Sequence, residues 1–322
     1  MLFRSALAGL PGLVIQKTGQ GGGSPVLRGR TGKEVLLLMD DLRFNNSLFR
    51  RNHQYLNTVD MFALERIEVF RGTASVRHGS DAMGGTIRLI PRRRELAGRD
   101  GWNGRALGLF SGANLGWTAH LDAEAEWAGW GLAAGATRQE LGHLRAGAYG
   151  DPAGAVDRHG RQDPSAYGFE AWNLSLTRDI GPRDRLDLII QHSIQSAAPR
   201  SDRLIATDKQ PAPPDLEAYY HPQIFRWYAL RWTHDAPGEA LEEARLSAGA
   251  AHPEEGRSRI QASRPGTRLR ERDEVVTPAL EGLATFRVHP QHRITLGGGI
   301  QRDRVLSRRE RVDLASGAVA FI

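Results

Sequence analysis

The sequence predicts a two-part β protein. Residues 1–94 form a compact unit of short strands, and residues 95–322 supply antiparallel transmembrane β-barrel strands that leave the barrel incomplete. Three observations predict this. Glycine-bounded turns punctuate the first part, strict apolar–polar alternation recurs through the second, and short and long connections take turns along the second part.

In the first part, Val35–Met39 is the longest unbroken aliphatic run and reads as a buried strand ending in a turn at Asp40-Asp41. The segment Glu65–Ile90 has the layout of two strands joined by a compact turn region. Ile67 and Val69 alternate with charged residues in its first strand, and Ile87 and Leu89 do so in its second. Between them, Gly72, Gly79 and the pair Gly84-Gly85 permit positive φ and close backbone approach.

After Arg94 the texture changes. Trp117, Ala119, Leu121, Ala123, Ala125 and Trp127 share one face, and Thr118, His120, Asp122, Glu124 and Glu126 share the other. Trp172, Leu174 and Leu176 alternate with Asn173, Ser175 and Thr177. Leu186, Leu188, Ile190 and Ile194 alternate with Arg185, Asp187, Gln191 and Gln195, and Ile294, Leu296 and Ile300 with Arg293, Thr295 and Gln301. Weaker cases near 105–111, 130–140, 223–234, 241–252 and 277–288 bring the total to about nine strands. On this register Leu174 and Leu188 face lipid, and Asn173 and Asp187 face the lumen.

Connections separate a membrane barrel from a soluble sandwich. The links around Ala128-Gly129, Asp179–Asp184, Asp235–Glu239 and His289–His292 are short, whereas those at 141–165, 197–222 and 253–275 are long. Outer-membrane barrels have short periplasmic turns and long extracellular loops, and a sandwich has no reason to sort its loops this way. Trp117, Trp127, Trp130 and Trp232 at strand ends suit an interfacial girdle, although a soluble core would use them similarly. Plugged outer-membrane transporters close with about 22 strands, so this set stops short.

Composition excludes several function classes. No run approaches the roughly 20 apolar residues of a membrane helix. The absence of cysteine fits passage through an oxidising periplasm, as it also fits many cytosolic proteins. The net charge of +6 comes mainly from arginine spread along the chain, which points to a solvated or lumenal surface and not to a nucleic-acid partner. Arg92-Arg-Arg94 is the densest run, lacks interleaved aromatics, and is expected at a periplasmic or lumenal surface. No enzyme is expected. Gly19–Ser24 lacks the ending of a phosphate loop and reads as a turn. Adjacent carboxylates such as Asp40-Asp41 point to opposite faces of a strand and have no catalytic partner in suitable spacing. The 11 histidines show no metal-binding spacing, so neither a metal site nor a cofactor is expected.

Taken in order, Leu10-Pro-Gly-Leu-Val14, Gly21–Gly29, Val35–Asn46, Gln54–Asp60 and Glu65–Ile90 resemble the successive motifs of the plug domain of TonB-dependent outer-membrane receptors. The resemblance covers nearly all of residues 6–92. Asp41 stands where the family usually has Gly, and His78 where an aromatic is common. Ala198–Leu204 followed by Tyr219–Gln223 resembles the third long loop and following strand. The resemblance implies a plug domain, a small mixed α+β sheet, over 1–94, followed over 95–322 by the first part of the barrel. Met1–Leu10 lacks the basic region and length of a secretory signal, so a fragment truncated at both ends is expected.

The resemblance further implies active import of a scarce nutrient across the bacterial cell outer membrane, with a ferric siderophore or similar iron chelate as the expected substrate. Haem or cobalamin import is the alternative within the family, and a passive plugged barrel or adhesin without energy coupling is the alternative outside it. The implied partners are TonB, a small-molecule metal chelate and outer-membrane lipid. Arg28 and Arg71 are implied to latch the plug to glutamates of barrel strands beyond Ile322. Asn45–Tyr55 resembles an apical plug loop that touches substrate, which makes Arg50, Arg51, His53 and Tyr55 candidate ligand contacts, with His53 a candidate haem ligand.

Overall fold

The computed structural model describes residues 7, 9–16, 19–21, 23–48, 55–72, 79–145, 160–206 and 211–322. Two small sheets build the N-terminal unit. Strands β1 (Leu13–Gln16), β2 (Ser24–Leu27) and β3 (Arg30–Thr31) form an antiparallel sheet. Strands β4 (Val35–Met39), β5 (Leu42–Arg43), β6 (Leu64–Phe70) and β7 (Gly85–Pro91) form a second, in the order β5-β4-β7-β6. It is mixed, because β4 runs parallel to β7 while the other pairs are antiparallel. Every residue of β4 is buried, which is what a continuous aliphatic run covered on both faces requires. At the start of β7, Gly85 takes φ +142°, and a Cβ there would collide with the Leu27 side chain and the Phe70 carbonyl. Only glycine lets the two sheets approach this closely.

The remaining strands are β8 (Gly101–Ser111), β9 (Gly116–Trp127), β10 (Trp130–Leu141), β11 (Leu144–Arg145), β12 (Arg161–Gln162), β13 (Tyr167–Asp179), β14 (Asp184–Gln195), β15 (Ala198–Pro199), β16 (Asp215–Asp235), β17 (Leu241–Ala251), β18 (Glu254–Gln261), β19 (Thr267–His289), β20 (His292–Gln301), β21 (Arg304–Asp313) and β22 (Val319–Phe321). All but the β11-β12 pair belong to one antiparallel sheet of thirteen strands, open at β8 and β22 among the described residues. Taking β17 with β18 and β20 with β21 as two lengths of one strand, long neighbours along the chain pair with each other, as in an up-and-down barrel. The expected boundary at 94/95 falls in the extended connection between β7 and β8.

Burial follows the alternation read from the sequence. On β9 Thr118, His120 and Glu126 are buried, whereas Trp117, Leu121 and Trp127 are exposed. Asp187 is buried and Leu188 exposed on β14. The β9-β10 link is a two-residue turn in which Ala128 and Gly129 both take positive φ, matching the twist of a tight hairpin. No helix among the described residues is long and apolar enough to cross a membrane, which says nothing against crossing by strands.

One expected long loop is largely strand and a second partly so. Residues 253–275 form the β18-β19 hairpin, whose turn is confined to 262–266. In 197–222, β15, the single helical turn α1 (Ser201–Leu204) and the start of β16 leave a shorter connection. These stretches lie past the apolar band, where both faces are polar and alternation disappears from the sequence.

The N-terminal unit sits inside the curl of the large sheet and shares its core. Leu37, Met39, Ile87 and Leu89 pack in one cluster with Phe225, Trp227, Ala229 and Val275 of the inner wall. Phe44 lies with its ring centroid 5.0 Å from that of Phe225.

Candidate functional site

Polar contacts build the seat of the N-terminal unit against the large sheet. At its centre are two carboxylates at the end of β4. Asp40 takes a left-handed φ of 53° and donates its backbone N–H to the Leu89 carbonyl at 2.8 Å, which turns the chain so that Asp40 and Asp41 converge. Strand geometry had suggested opposite faces; the left-handed turn overrides it. Arg93 bonds Asp40 Oδ2, and Arg231 of β16 approaches Asp40 Oδ1 at 3.3 Å and Asp41 at 4.0 Å. Arg88 bonds Asp41 at 2.6 Å, and Arg245 of β17 lies 3.8 Å from it. Arg93 also reaches Asp187 of β14 at 3.6 Å. Burial pushes the Asp40 carboxyl above its ordinary pKa, and the Arg93 and Arg231 guanidiniums pull it back down.

The arginine run after β7 completes this seat. Arg92 lies 3.6 Å from Asp122 and 3.7 Å from Glu124, and Arg94 lies 3.7 Å from Glu124 and 3.8 Å from Glu126. Glu126 also accepts the backbone N–H groups of Ala97 and Gly98 at 2.7 and 2.8 Å. The acidic face of β9 is therefore a docking ladder for the connection between the two units, and the run faces the lumen.

A third tether is uncharged at its centre. Asp60 caps the turn Met61–Ala63 by accepting the Phe62 N–H at 3.0 Å, and its other oxygen accepts the Thr137 hydroxyl at 2.6 Å. Thr137 Oγ1 lies 2.8 Å from His120 Nδ1, and His120 Nε2 lies 3.2 Å from Asp122. Phe62 stacks on the His120 ring. The series of hydroxyl, imidazole and carboxylate resembles a nucleophile relay, but Thr137 spends its proton on Asp60 under the plug. Burial raises the Asp60 pKa against these hydrogen bonds.

Arg50, Arg51 and His53 lie outside the described residues, as does the Tyr55 side chain; the Tyr55 backbone opens the 3-10 turn Tyr55–Thr58. Both flanks of that loop are anchored. On one side, Ser47 donates its N–H to Asp303 at 2.6 Å, and Gln301 donates to the Asn45 carbonyl at 2.8 Å. On the other, Gln195 bonds the Asn57 carbonyl at 3.0 Å, and Ser193 bonds that of Thr58. Gln195 ends β14 at the edge bearing the long connections, so the flank at Asn57 and Thr58 sits at that edge.

Arg28 and Arg71 are exposed, and among the described residues neither meets a barrel carboxylate; Arg71 reaches only the Pro11 carbonyl at 3.5 Å. What sequence reasoning missed is the opposite latch, with carboxylates on the plug and arginines on the wall. Its signal was present: Arg231 and Arg245 stand at inward positions between outward residues of an alternating strand, where a buried cation needs a partner.

Comparison with known proteins agrees with this architecture. Residues 3–86 match the TonB-dependent receptor plug domain. The vitamin B12 transporter BtuB of Vibrio vulnificus (strain YJ016) is 37% identical over 90 residues, 27% of this chain and 14% of that protein. Among solved structures, the copper transporter OprC superposes with a TM-score of 0.76 at 16% identity, covering 98% of this chain and 46% of that one. The FrpB iron transporter of Neisseria meningitidis (F3-3 variant) gives 0.73 at 14% identity, covering 96% and 46%. The chain thus spans less than half the length of these relatives. Its first part is a TonB-dependent receptor plug domain, and the chain as a whole has the fold of the outer-membrane receptors it superposes on, a plug seated among antiparallel barrel strands.

Proposed function

We propose that the receptor actively imports an iron chelate of the ferric siderophore class, driven by TonB, and that it performs no catalysis. The observation supporting a gated importer is the plug itself. Charged, hydrogen-bonded and apolar contacts fasten it to β9, β10, β14, β16, β17 and the β20-β21 break, so a solute passes only if an input of work rearranges it. The iron chelate is favoured by Arg50 and Arg51 in the loop whose flank at Asn57 and Thr58 sits at the edge bearing the long connections, since charge-assisted bonds from guanidinium suit anionic chelates. The ferric yersiniabactin uptake receptor and the ferripyoverdine receptor, both structural neighbours, fit the same choice. Cobalamin is the second reading, carried by the plug's likeness to a vitamin B12 transporter.

The test is equilibrium binding and uptake by the full-length receptor with a panel of ferric siderophores, haem and cobalamin, in cells with and without TonB. Uptake of one ferric siderophore that ceases without TonB is expected, with binding weakened in Arg50→Ala/Arg51→Ala. TonB-independent passage would overturn the gated reading. TonB-dependent uptake of cobalamin alone would establish the second, and a loss confined to haem in His53→Ala would establish haem import.

A further inference from the structure

The tether from Asp60 to β9 has one hydrogen bond more than its groups have hydrogens. Three contacts run in series. Thr137 Oγ1 lies 2.6 Å from Asp60 Oδ2 and 2.8 Å from His120 Nδ1, and His120 Nε2 lies 3.2 Å from Asp122 Oδ1. Each contact needs a hydrogen between its two heavy atoms. The threonine hydroxyl brings one, a neutral imidazole brings one, and an ionised carboxylate brings none. One contact stays empty unless the series carries a further proton.

The surroundings do not relieve that shortfall. His120, Thr137 and Asp60 are 1%, 5% and 7% exposed, so solvent is kept from the series. The other oxygen of Asp60 is taken by the Phe62 N–H at 3.0 Å, and the Phe62 ring covers the imidazole with centroids 4.7 Å apart. Arg105 of β8 meets Asp122 at 2.5 Å, while Arg92 lies 3.6 Å from Asp122 and 3.7 Å from Glu124. The neutral amide of Asn173, on β13, lies across Gly135 from the ring. The arginines thus answer Asp122 and Glu124. The one cation able to face Asp60 among the described residues is His120 itself.

We propose that the seated plug holds one extra proton in the series Asp60–Thr137–His120–Asp122, so that seating takes up a proton and lifting the plug releases it to lumenal water. With Thr137 donating to Asp60, the extra proton sits on the imidazole, which then donates to Thr137 from Nδ1 and to Asp122 from Nε2. Moved to Asp60, it reverses the first two bonds and leaves the count unchanged, so Asp60 and His120 titrate as one unit. Lifting the plug carries Asp60 away and opens the ring to water, and above the ordinary imidazole range nothing then retains the proton. The seated state binds more protons, so it loses stability as pH rises. The tether is a proton-linked catch, whatever solute the plug gates.

Hydrogen exchange of the Phe62, Ala63 and Leu64 amides in the full-length receptor tests this, with each rate divided by that of an unstructured chain at the same pH. Protection should fall about tenfold per unit between about pH 7 and 8, the slope of one proton. Asp60→Asn supplies the missing hydrogen from its own amide. His120→Gln donates to Thr137 while Arg105 keeps Asp122. Each should bring the slope under about twofold per unit, and Thr137→Ser, which keeps the hydroxyl, should retain it. A flat profile in the unaltered receptor overturns the proposal, as does a slope that survives in Asp60→Asn. A slope that survives in His120→Gln overturns it too, by assigning the proton to a lone buried Asp60. Heat-modifiable gel mobility checks folding, and if His120→Gln fails it, His120→Met, which fills the space with no hydrogen to share, carries the same comparison.

Discussion

Replacing Asp40 by Asn tests the plug seat at its most buried point. The Asp40 side chain is 5% exposed, and those of Arg93 and Arg231 are 13% and 16% exposed. Asn keeps the shape and removes the charge, leaving two guanidiniums facing each other out of water. Breaking a buried ion pair from one side costs about 3–5 kcal/mol. Arg231 still has Asp41 at 4.0 Å and Arg93 still has Asp187 at 3.6 Å, so the lower end, about 3 kcal/mol, applies. Hydrogen exchange of the β4 and β7 amides in the full-length receptor reads this directly, since protection there reports the opening of the plug against the wall. About two orders of magnitude faster exchange is expected. Arg231→Met alone should cost less, because Asp40 keeps Arg93. Adding Arg231→Met to Asp40→Asn should recover part of the loss by removing a stranded cation. Unchanged exchange in Asp40→Asn, or a double variant equal to the sum of the singles, would refute the cluster as a coupled seat.

Three further outcomes follow from the same contacts. Leu188→Arg places a cation on the lipid face at a cost of about 2–4 kcal/mol and should cut the yield of heat-modifiable folded barrel, whereas Leu188→Met should not. A cysteine at Gly266, in the β18-β19 turn, should react with a membrane-impermeant maleimide on intact cells, and one at Pro182, in the β13-β14 link, should not; the reverse pattern would invert the topology. Asp60 has a raised pKa, so its contribution is fully present below the ordinary carboxylate value and is lost as pH rises through the raised one. Plug protection measured by exchange should therefore fall as pH rises above the ordinary carboxylate range, and Asp60→Asn, which still accepts the Phe62 N–H, should flatten that slope.

The barrel strands were legible because each has one face in lipid. Period two is enforced at Leu186, Leu188 and Ile190 by the cost of a polar group there, and the pattern survives in the sequence. Past the band that pressure ends. Arg257 and Arg259 on one face of β18 and Ser258 on the other give no alternation, so a hairpin reads as a loop. The plug motifs were legible through glycines that only one backbone path explains, as at Gly85. The seat was not, because its partners are remote: Asp40 and Arg231 are 191 residues apart. No local window contains both, so an inward Arg announces that it needs a partner without saying which carboxylate supplies it.

The chemistry of the seat bears on how the plug can leave it. Two apolar surfaces pulled apart in water lose their whole burial energy and regain nothing. A buried ion pair behaves differently, since the charges lost solvation on docking and recover it when water enters. Here the apolar contacts join Leu37, Met39, Leu42, Phe44, Ile87 and Leu89 to Phe225, Trp227, Ala229 and Val275, and the carboxylates and arginines at the ends of β4 and β7 lie beside them. Gly249 matters beside them, because a Cβ there would stand 2.5 Å from the Tyr228 carbonyl and 2.6 Å from the Leu42 side chain, crowding the plug against the wall. The plug is therefore located by geometry-specific charge pairs whose net strength is modest. It can be firmly positioned at rest and still yield once a displacement of a few ångströms lets solvent reach Asp40, Arg93 and Arg231.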